Sequence, residues 1–184
     1  MKSLVILSML LALSSGSRGA INDAAASRFL GIDRASANTT QAKWNGRNAA
    51  FVEYLTGADE DELQVFVVYN DGGRLHSAKV TTGERDCCVP HVAAIGFANA
   101  DRDAAKELIV ILRRPIFNYD VGGSLYEVRV FDDLKVGQES LTPLLKISTR
   151  FGSACDCQWR DGKTKRYKFK TIAAVQQELK RLGH

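Results

Sequence analysis

The sequence predicts a mainly β protein: an antiparallel sheet, propeller-blade-like or sandwich, closed by a C-terminal amphipathic helix. Three observations carry this. Short segments rich in Val, Ile, Phe and Tyr follow one another from 49 onward. Turn chemistry separates them, as at Asn70-Asp71-Gly72-Gly73 and Asp120-Val121-Gly122-Gly123. The apolar period then switches from strand to helix near the end, where Ile172, Val175, Leu179 and Leu182 recur at helical spacing.

The elements follow in order. Met1-Lys2-Ser3, an apolar run from Leu4 to Leu13 and the small residues after it read as a secretory signal peptide over 1–17. An apolar core of about ten residues is too short to span a bilayer, which needs roughly 20, so no transmembrane segment is expected in the mature chain. Residues 18–40, rich in Ala, Ser, Asn and Thr, read as a lead-in with room for one short helix around Phe29, Leu30 and Ile32. The rest, 41–184, reads as a single domain. Strands are expected at 49–55, 62–70, 74–82, 91–98, 107–114, 124–133 and 143–151. "VYNDGGRLHSAKV" is the clearest hairpin, because Asp-Gly and Gly-Gly supply the positive φ of tight turns. "LIVIL" is apolar on both faces and belongs in the sheet centre. "SLYEVRVF" alternates, with Leu125, Glu127, Arg129 and Phe131 on one face and Tyr126, Val128 and Val130 on the other. The closing helix is expected over 171–183, capped by Thr171 and stopped by Gly183. Glu62-Leu63-x-Val65 and Glu107-Leu108-x-Val110 form a faint echo 45 residues apart, a spacing that fits propeller blades.

The formal net charge is only +4, and +3 once Lys2 is removed, which is too mild for a nucleic-acid protein. Export and an even cysteine count favour disulfides among Cys87, Cys88, Cys155 and Cys157. Cys155 and Cys157 share a strand face; Cys87 and Cys88 do not. A bridge between adjacent Cys87 and Cys88 strains the backbone, so cross-linking of the two clusters is preferred, worth about 4 kcal/mol in the chain-entropy model. Asn38-Thr39-Thr40 is a glycosylation triplet, relevant only in a eukaryotic source.

Four oxygen-bearing side chains, Asn99, Asp101, Asp103 and Glu107, stand in front of the apolar run, and Ala105 adds a carbonyl between them. Calcium takes six to eight oxygens, and alternate loop side chains are how short loops surround it. The alternative is a set of Asx turns feeding a buried strand. This stretch resembles the loop-then-strand calcium motif of FG-GAP and VCBS-type repeats, D-x-D-x-D-G-x-x-D before an apolar strand. It departs from that motif at Asn99, at Glu107 and at Ala104, which stands where glycine normally turns the chain. With the signal peptide, short strands and closing helix, the chain looks like small bacterial periplasmic proteins with VCBS-like sheets. That resemblance implies calcium as a cofactor, and for some such proteins an immunity role against cell-wall hydrolases.

No catalytic constellation stands out, and a non-enzymatic protein is expected. The histidines are His76, His91 and the terminal His184. Cys88 with His91 offers a nucleophile and base three residues apart, and Cys88, His91, Cys155 and Cys157 offer zinc-ligand types without a familiar spacing. Asp59 to Glu62 reads as a solvated acidic turn. In "WRDGKTKRYKFK", aromatic residues interleave with basic ones. One reading is an edge strand protected by its lysines; the other is a cationic docking face for an acidic protein or an envelope polymer.

The expected function is therefore an exported, periplasmic or secreted binding protein whose partner is another protein, occluding that partner's cleft through a loop. Expected contacts are Asp71, Gly72 and Arg74, or Lys165, Arg166, Lys168 and Lys170. The alternative is a calcium-stabilised envelope protein that binds carbohydrate or surface polymer.

Overall fold

The computed structural model describes residues 20–57, 59, 62–86, 88–101 and 103–184. The expected signal peptide, Glu60, Asp61 and Cys87 lie outside the described residues. Two antiparallel sheets are built from consecutive strands. The first has β1 (Ala37–Trp44), β2 (Arg47–Thr56), β3 (Glu62–Asp71) and β4 (Arg74–Glu84) in chain order. The second has β5 (His91–Ala98), β6 (Glu107–Phe117), β7 (Val121–Phe131), β8 (Ser153–Trp159) and the two-residue β9 (Thr164–Lys165). Three helices complete the fold, α1 (Asp23–Leu30), α2 (Leu145–Phe151) and α3 (Ile172–Arg181).

The sheets stack face to face. Phe51, Val65, Val67, Tyr69 and Val80 of the first sheet meet Leu108, Val110, Leu112 and Phe131 of the second in one buried cluster. Trp44, Phe51 and Phe97 form its aromatic centre, with ring centroids 5.6–6.1 Å apart. Alternation sends the intervening residues outward. Ala50, Val52 and Val68 lie under α1 through Ala26. On the second sheet, Ile109, Ile111, Val128 and Val130 are covered by Phe151, Tyr167, Val175 and Leu179. The result is helix, sheet, sheet, helix: a sandwich with both outer faces clothed. Its two stacked meanders share a core, and Glu62 and Glu107 open β3 and β6, which hold different places in their sheets.

The closing helix forms as expected. Thr171 accepts the Ala174 N–H at 3.3 Å, and Gly183 adopts φ +85° beyond the last turn. Gly96 lets α3 approach, since a Cβ there would lie 2.9 Å from Ile172 Cγ1. Three expectations change. The segment 143–151 is mostly α2 rather than a strand: Leu144, Ile147 and Phe151 lie one helical turn apart and pack on the second sheet. β1 begins at Ala37, inside the expected lead-in, and α1 precedes it. The stretch 166–170 forms no edge strand, because β9 ends at Lys165; Tyr167 is buried and Phe169 packs with it.

The cysteines also differ from expectation. Cys155 and Cys157 are bonded to each other, with Cα atoms 5.3 Å apart on one face of β8. Neither sulfur is left for the first cluster, so the preferred cross-link is overturned. A bond closing three residues constrains the unfolded chain far less than one closing roughly 70.

Candidate functional site

The acidic loop connects β5 to β6 and is clamped by the β1–β2 turn. Asn45, at φ +46°, donates from Nδ2 to the Lys106 carbonyl (3.0 Å) and accepts the Lys106 N–H on Oδ1 (2.9 Å). Trp44 Nε1 donates to the same carbonyl at 2.5 Å. Within the loop, Asp101 accepts the Asp103 N–H at 2.9 Å and Asp103 accepts the Ala105 N–H at 2.7 Å, two Asx turns in series. Asn99 turns its amide nitrogen onto the Asp103 carbonyl at 2.7 Å. Glu107 is fully buried and accepts the N–H groups of Ala100 and Asp101 on Oε2, while its Oε1 has no hydrogen-bond partner. Burial pushes its carboxyl above the ordinary range; the Ala100 N–H opposes that shift and the Asp101 charge adds to it.

Five ligands were expected here; the fold gathers a different set. Carboxylate oxygens of Asp101, Asp103 and Asp132 lie within 4.8 Å of one another, and Asp132 comes from the end of β7. Register explains its arrival: Leu108 pairs with Phe131, so the next step sets Asp132 level with Glu107. Lys135 reaches into the same charge group, its Nζ 3.2 Å from Asp132 Oδ2. The Asp132 hydrogen bond, then the charges of Asp132, Asp133 and Asp103, hold the Lys135 ammonium above its ordinary pKa. Burial pushes Asp132 up, yet the Asp133 N–H and Lys135 outweigh it and hold its carboxyl low. Asp133 moves upward, through burial and then the charge of Asp132. Hard oxygen donors suit calcium, but an ammonium already neutralises part of this group, and a cation entering it has to displace or share Asp132.

A second feature stands at the tip of the β6–β7 hairpin. Phe117 and Tyr119 are each 79% exposed. The turn is rigid: Asn118 Oδ1 accepts the N–H groups of Asp120 (3.0 Å) and Val121 (2.9 Å), and Asn118 N–H donates to the Val121 carbonyl (3.1 Å). Arg160, from the β8–β9 turn, sets its guanidinium 4.3 Å from the Tyr119 ring centre, and its backbone N–H donates to the Asp120 carbonyl at 2.9 Å. Further along the β8–β9 turn Asp161 pairs with Lys163 at 2.7 Å, and Lys165 lies level with Cys157. Sequence reading passed over Phe117 and Tyr119. The available signal was two aromatics beside Asn118 and Asp120, turn residues that leave large rings nowhere to bury.

The other expected contacts separate. Asp71 pairs with Arg47 at 3.3 Å, Gly72 and Gly73 make the hairpin turn with φ +58° and +87°, and Arg74 is exposed. Arg166 and Lys170 both pair with Asp156, and Lys168 pairs with Glu178 at 2.9 Å. Most of that basic stretch is thus engaged within the fold, while Lys165 ends the short β9 opposite Cys157. His91 faces Arg113 across β5–β6, and burial followed by that positive charge lowers its pKa. The Cys88 carbonyl accepts from Arg114 Nε at 3.1 Å. The zinc set cannot assemble as expected, because Cys155 and Cys157 are consumed by their mutual bond. Among the described residues, no helix is long and apolar enough to cross a membrane.

No protein-family model, curated protein or solved structure matches the chain.

Proposed function

We propose that this chain is an exported, non-catalytic binding protein that inserts the β6–β7 tip into the cleft of a protein partner, with a cell-wall hydrolase as its most concrete target. The observation that carries the reading is the pair of exposed rings on a turn locked by Asn118 and braced by Arg160. Aromatic residues and arginine dominate binding energy at protein interfaces. A turn already fixed in shape loses little entropy on docking. Arg160 against the Tyr119 ring favours a cleft with an acidic edge and speeds encounter with it. The resemblance of the acidic loop to VCBS-type repeats adds the immunity role to this reading.

The test is inhibition of purified muramidase, amidase and endopeptidase classes of cell-wall hydrolase by the wild-type chain and by Phe117→Ala/Tyr119→Ala. Inhibition of one class, lost at least tenfold in the double variant without a change in melting temperature, is the expected result. Hydrolysis by the pure chain itself, abolished by a single substitution, refutes the non-catalytic reading.

A second reading, a calcium-stabilised envelope protein that binds carbohydrate or surface polymer, is favoured by the convergence of Asp101, Asp103 and Asp132. It expects calcium to raise the melting temperature of the wild type and not of Asp101→Ala/Asp103→Ala. Equal melting with calcium and with chelator refutes it.

A further inference from the structure

A groove of about 600 Å³ opens between the edge strand β4, the chain at 140–143, β7 and α2. Its volume falls in the range of small-molecule sites, roughly 300–1,000 Å³. Val80, Phe131 and Leu141 form buried wall, and Leu145, 66% exposed, stands at the lip with Thr149.

Two features of the lining select the occupant. The first is charge. Arg129 is bidentate on Glu127 (2.6 and 3.0 Å), and its Nη1 donates to Thr81 Oγ1 (2.5 Å) and the Thr82 carbonyl (2.6 Å). Four of the five guanidinium N–H groups are thereby engaged and the positive charge is matched by one carboxylate. Lys79 borders the groove, but it pairs in register with Phe66, whose ring stacks on Tyr54 outside the shared core, so its side chain belongs to the outer face of β4. Among the described residues that face into the groove, the one guanidinium is matched by a carboxylate.

The second feature is the strand edge. Lys79 bonds residues 139–141 through both its N–H and its carbonyl (2.8 Å each). The Thr82 carbonyl is taken by Arg129 and the Glu84 carbonyl by Arg114 at 3.0 Å. A peptide strand that adds to a sheet draws its affinity from free main-chain groups, and here the acceptors are already used.

We propose that this groove is a binding site for a single uncharged aliphatic chain, a site distinct from the β6–β7 tip. Burial of methylene groups supplies the affinity, and salt leaves it unchanged because no ion pair forms with the ligand.

The probe is the neutral fluorophore N-phenyl-1-naphthylamine, titrated into the mature chain and then displaced by dodecanol, dodecanoate or dodecyltrimethylammonium below their aggregation limits. Expected are one-to-one binding, displacement by dodecanol at least tenfold better than by either charged chain, and the same affinity at low and high salt. Thr149→Trp, which plugs the exposed lip, abolishes binding, while Thr149→Ser retains it with unchanged melting. Glu127→Gln uncovers the Arg129 charge and shifts preference toward dodecanoate. The proposal is overturned if the folded wild type leaves the probe dark, if Thr149→Trp binds normally, or if charged and neutral chains displace equally. Displacement by an acetylated trileucine amide but not by dodecanol also overturns it, in favour of a peptide partner.

Discussion

Replacing Gly123 by alanine tests how β8, and with it Arg160, is held against β7. Gly123 pairs with Cys157 and adopts φ +148°. A Cβ added there lies 2.7 Å from Cys157 Cα and 3.0 Å from Cys157 Sγ, and also runs into the Asp156 carbonyl. These are mainly backbone atoms of the partner strand, so no side-chain rotation relieves the overlap and the strands must part. Overpacking costs about 1–3 kcal/mol and a sparsely populated φ a further 1–3; a loss of about 3–5 kcal/mol is expected. That is a large share of the roughly 5–15 kcal/mol that holds a domain together. Gly122 is the built-in control: nothing lies within 4 Å of its added Cβ, and its φ is not positive. Gly122→Ala should leave stability unchanged or raise it by about 0.5 kcal/mol, through lower unfolded-chain entropy. Urea unfolding of both variants reads the difference as a shift in midpoint. Equal midpoints for Gly123→Ala and Gly122→Ala would refute the close-approach argument.

Three further outcomes are expected. Tyr167 is buried with its hydroxyl on the Phe151 (3.1 Å) and Gly152 (3.0 Å) carbonyls, and burial, helped by the Glu127 charge, raises its pKa to about 12. The protonated form is the one the fold favours, so this contribution is complete below the ordinary value near 10 and is lost as pH rises toward 12; Tyr167→Phe should cost about 1 kcal/mol at neutral pH and flatten the alkaline stability profile relative to wild type. Asn45→Ala removes both bonds to Lys106 and places alanine at φ +46°; a loss of about 2 kcal/mol, with faster hydrogen exchange at Lys106, is expected, and Asn45→Gly should recover only the backbone part. Cys155→Ala/Cys157→Ala should cost about 1.5 kcal/mol, the chain-entropy figure for a three-residue loop, and a loss near 4 kcal/mol in chemical denaturation would contradict the short-range bond.

Strands β2 to β7 were legible because β-branched and aromatic residues sit between unmistakable turns. β1 was not, since "ANTTQAKW" is polar and mostly solvated, and only Trp44 is fully buried; a strand with one wet face shows little apolar pattern. The 143–151 segment misled for the opposite reason. Its apolar residues are dense enough for a strand, yet their helical spacing is what lets Ile147 and Phe151 reach the sheet. At the acidic loop, the local Asp101 and Asp103 could be read directly, whereas Asp132 arrives through strand register. Glu107 looks like a ligand in sequence, yet it faces inward and ties down two loop N–H groups. The aromatic tip was hidden by Pro115, which reads as the end of a strand although β6 continues to Phe117.

The meander order of the two sheets bears on how fast the chain folds. Every named strand pairs with a neighbour in sequence, from β1–β2 through β3–β4 and from β5–β6 through β8–β9. Contact order is correspondingly low for a β-sandwich, where Greek-key crossings usually slow folding. Most of these pairings are hairpin closures, microsecond events in isolation; β8 joins β7 only after the longer connection that carries α2. Joining the two sheets, which brings Trp44 and Phe51 onto Phe97, reaches further along the chain than any hairpin closure. Strand pairing is therefore completed locally, with the aromatic cluster as the late, committing contact that joins the two sheets. Stopped-flow refolding should show this as a rate far more sensitive to Phe97→Leu than to substitutions within either hairpin turn.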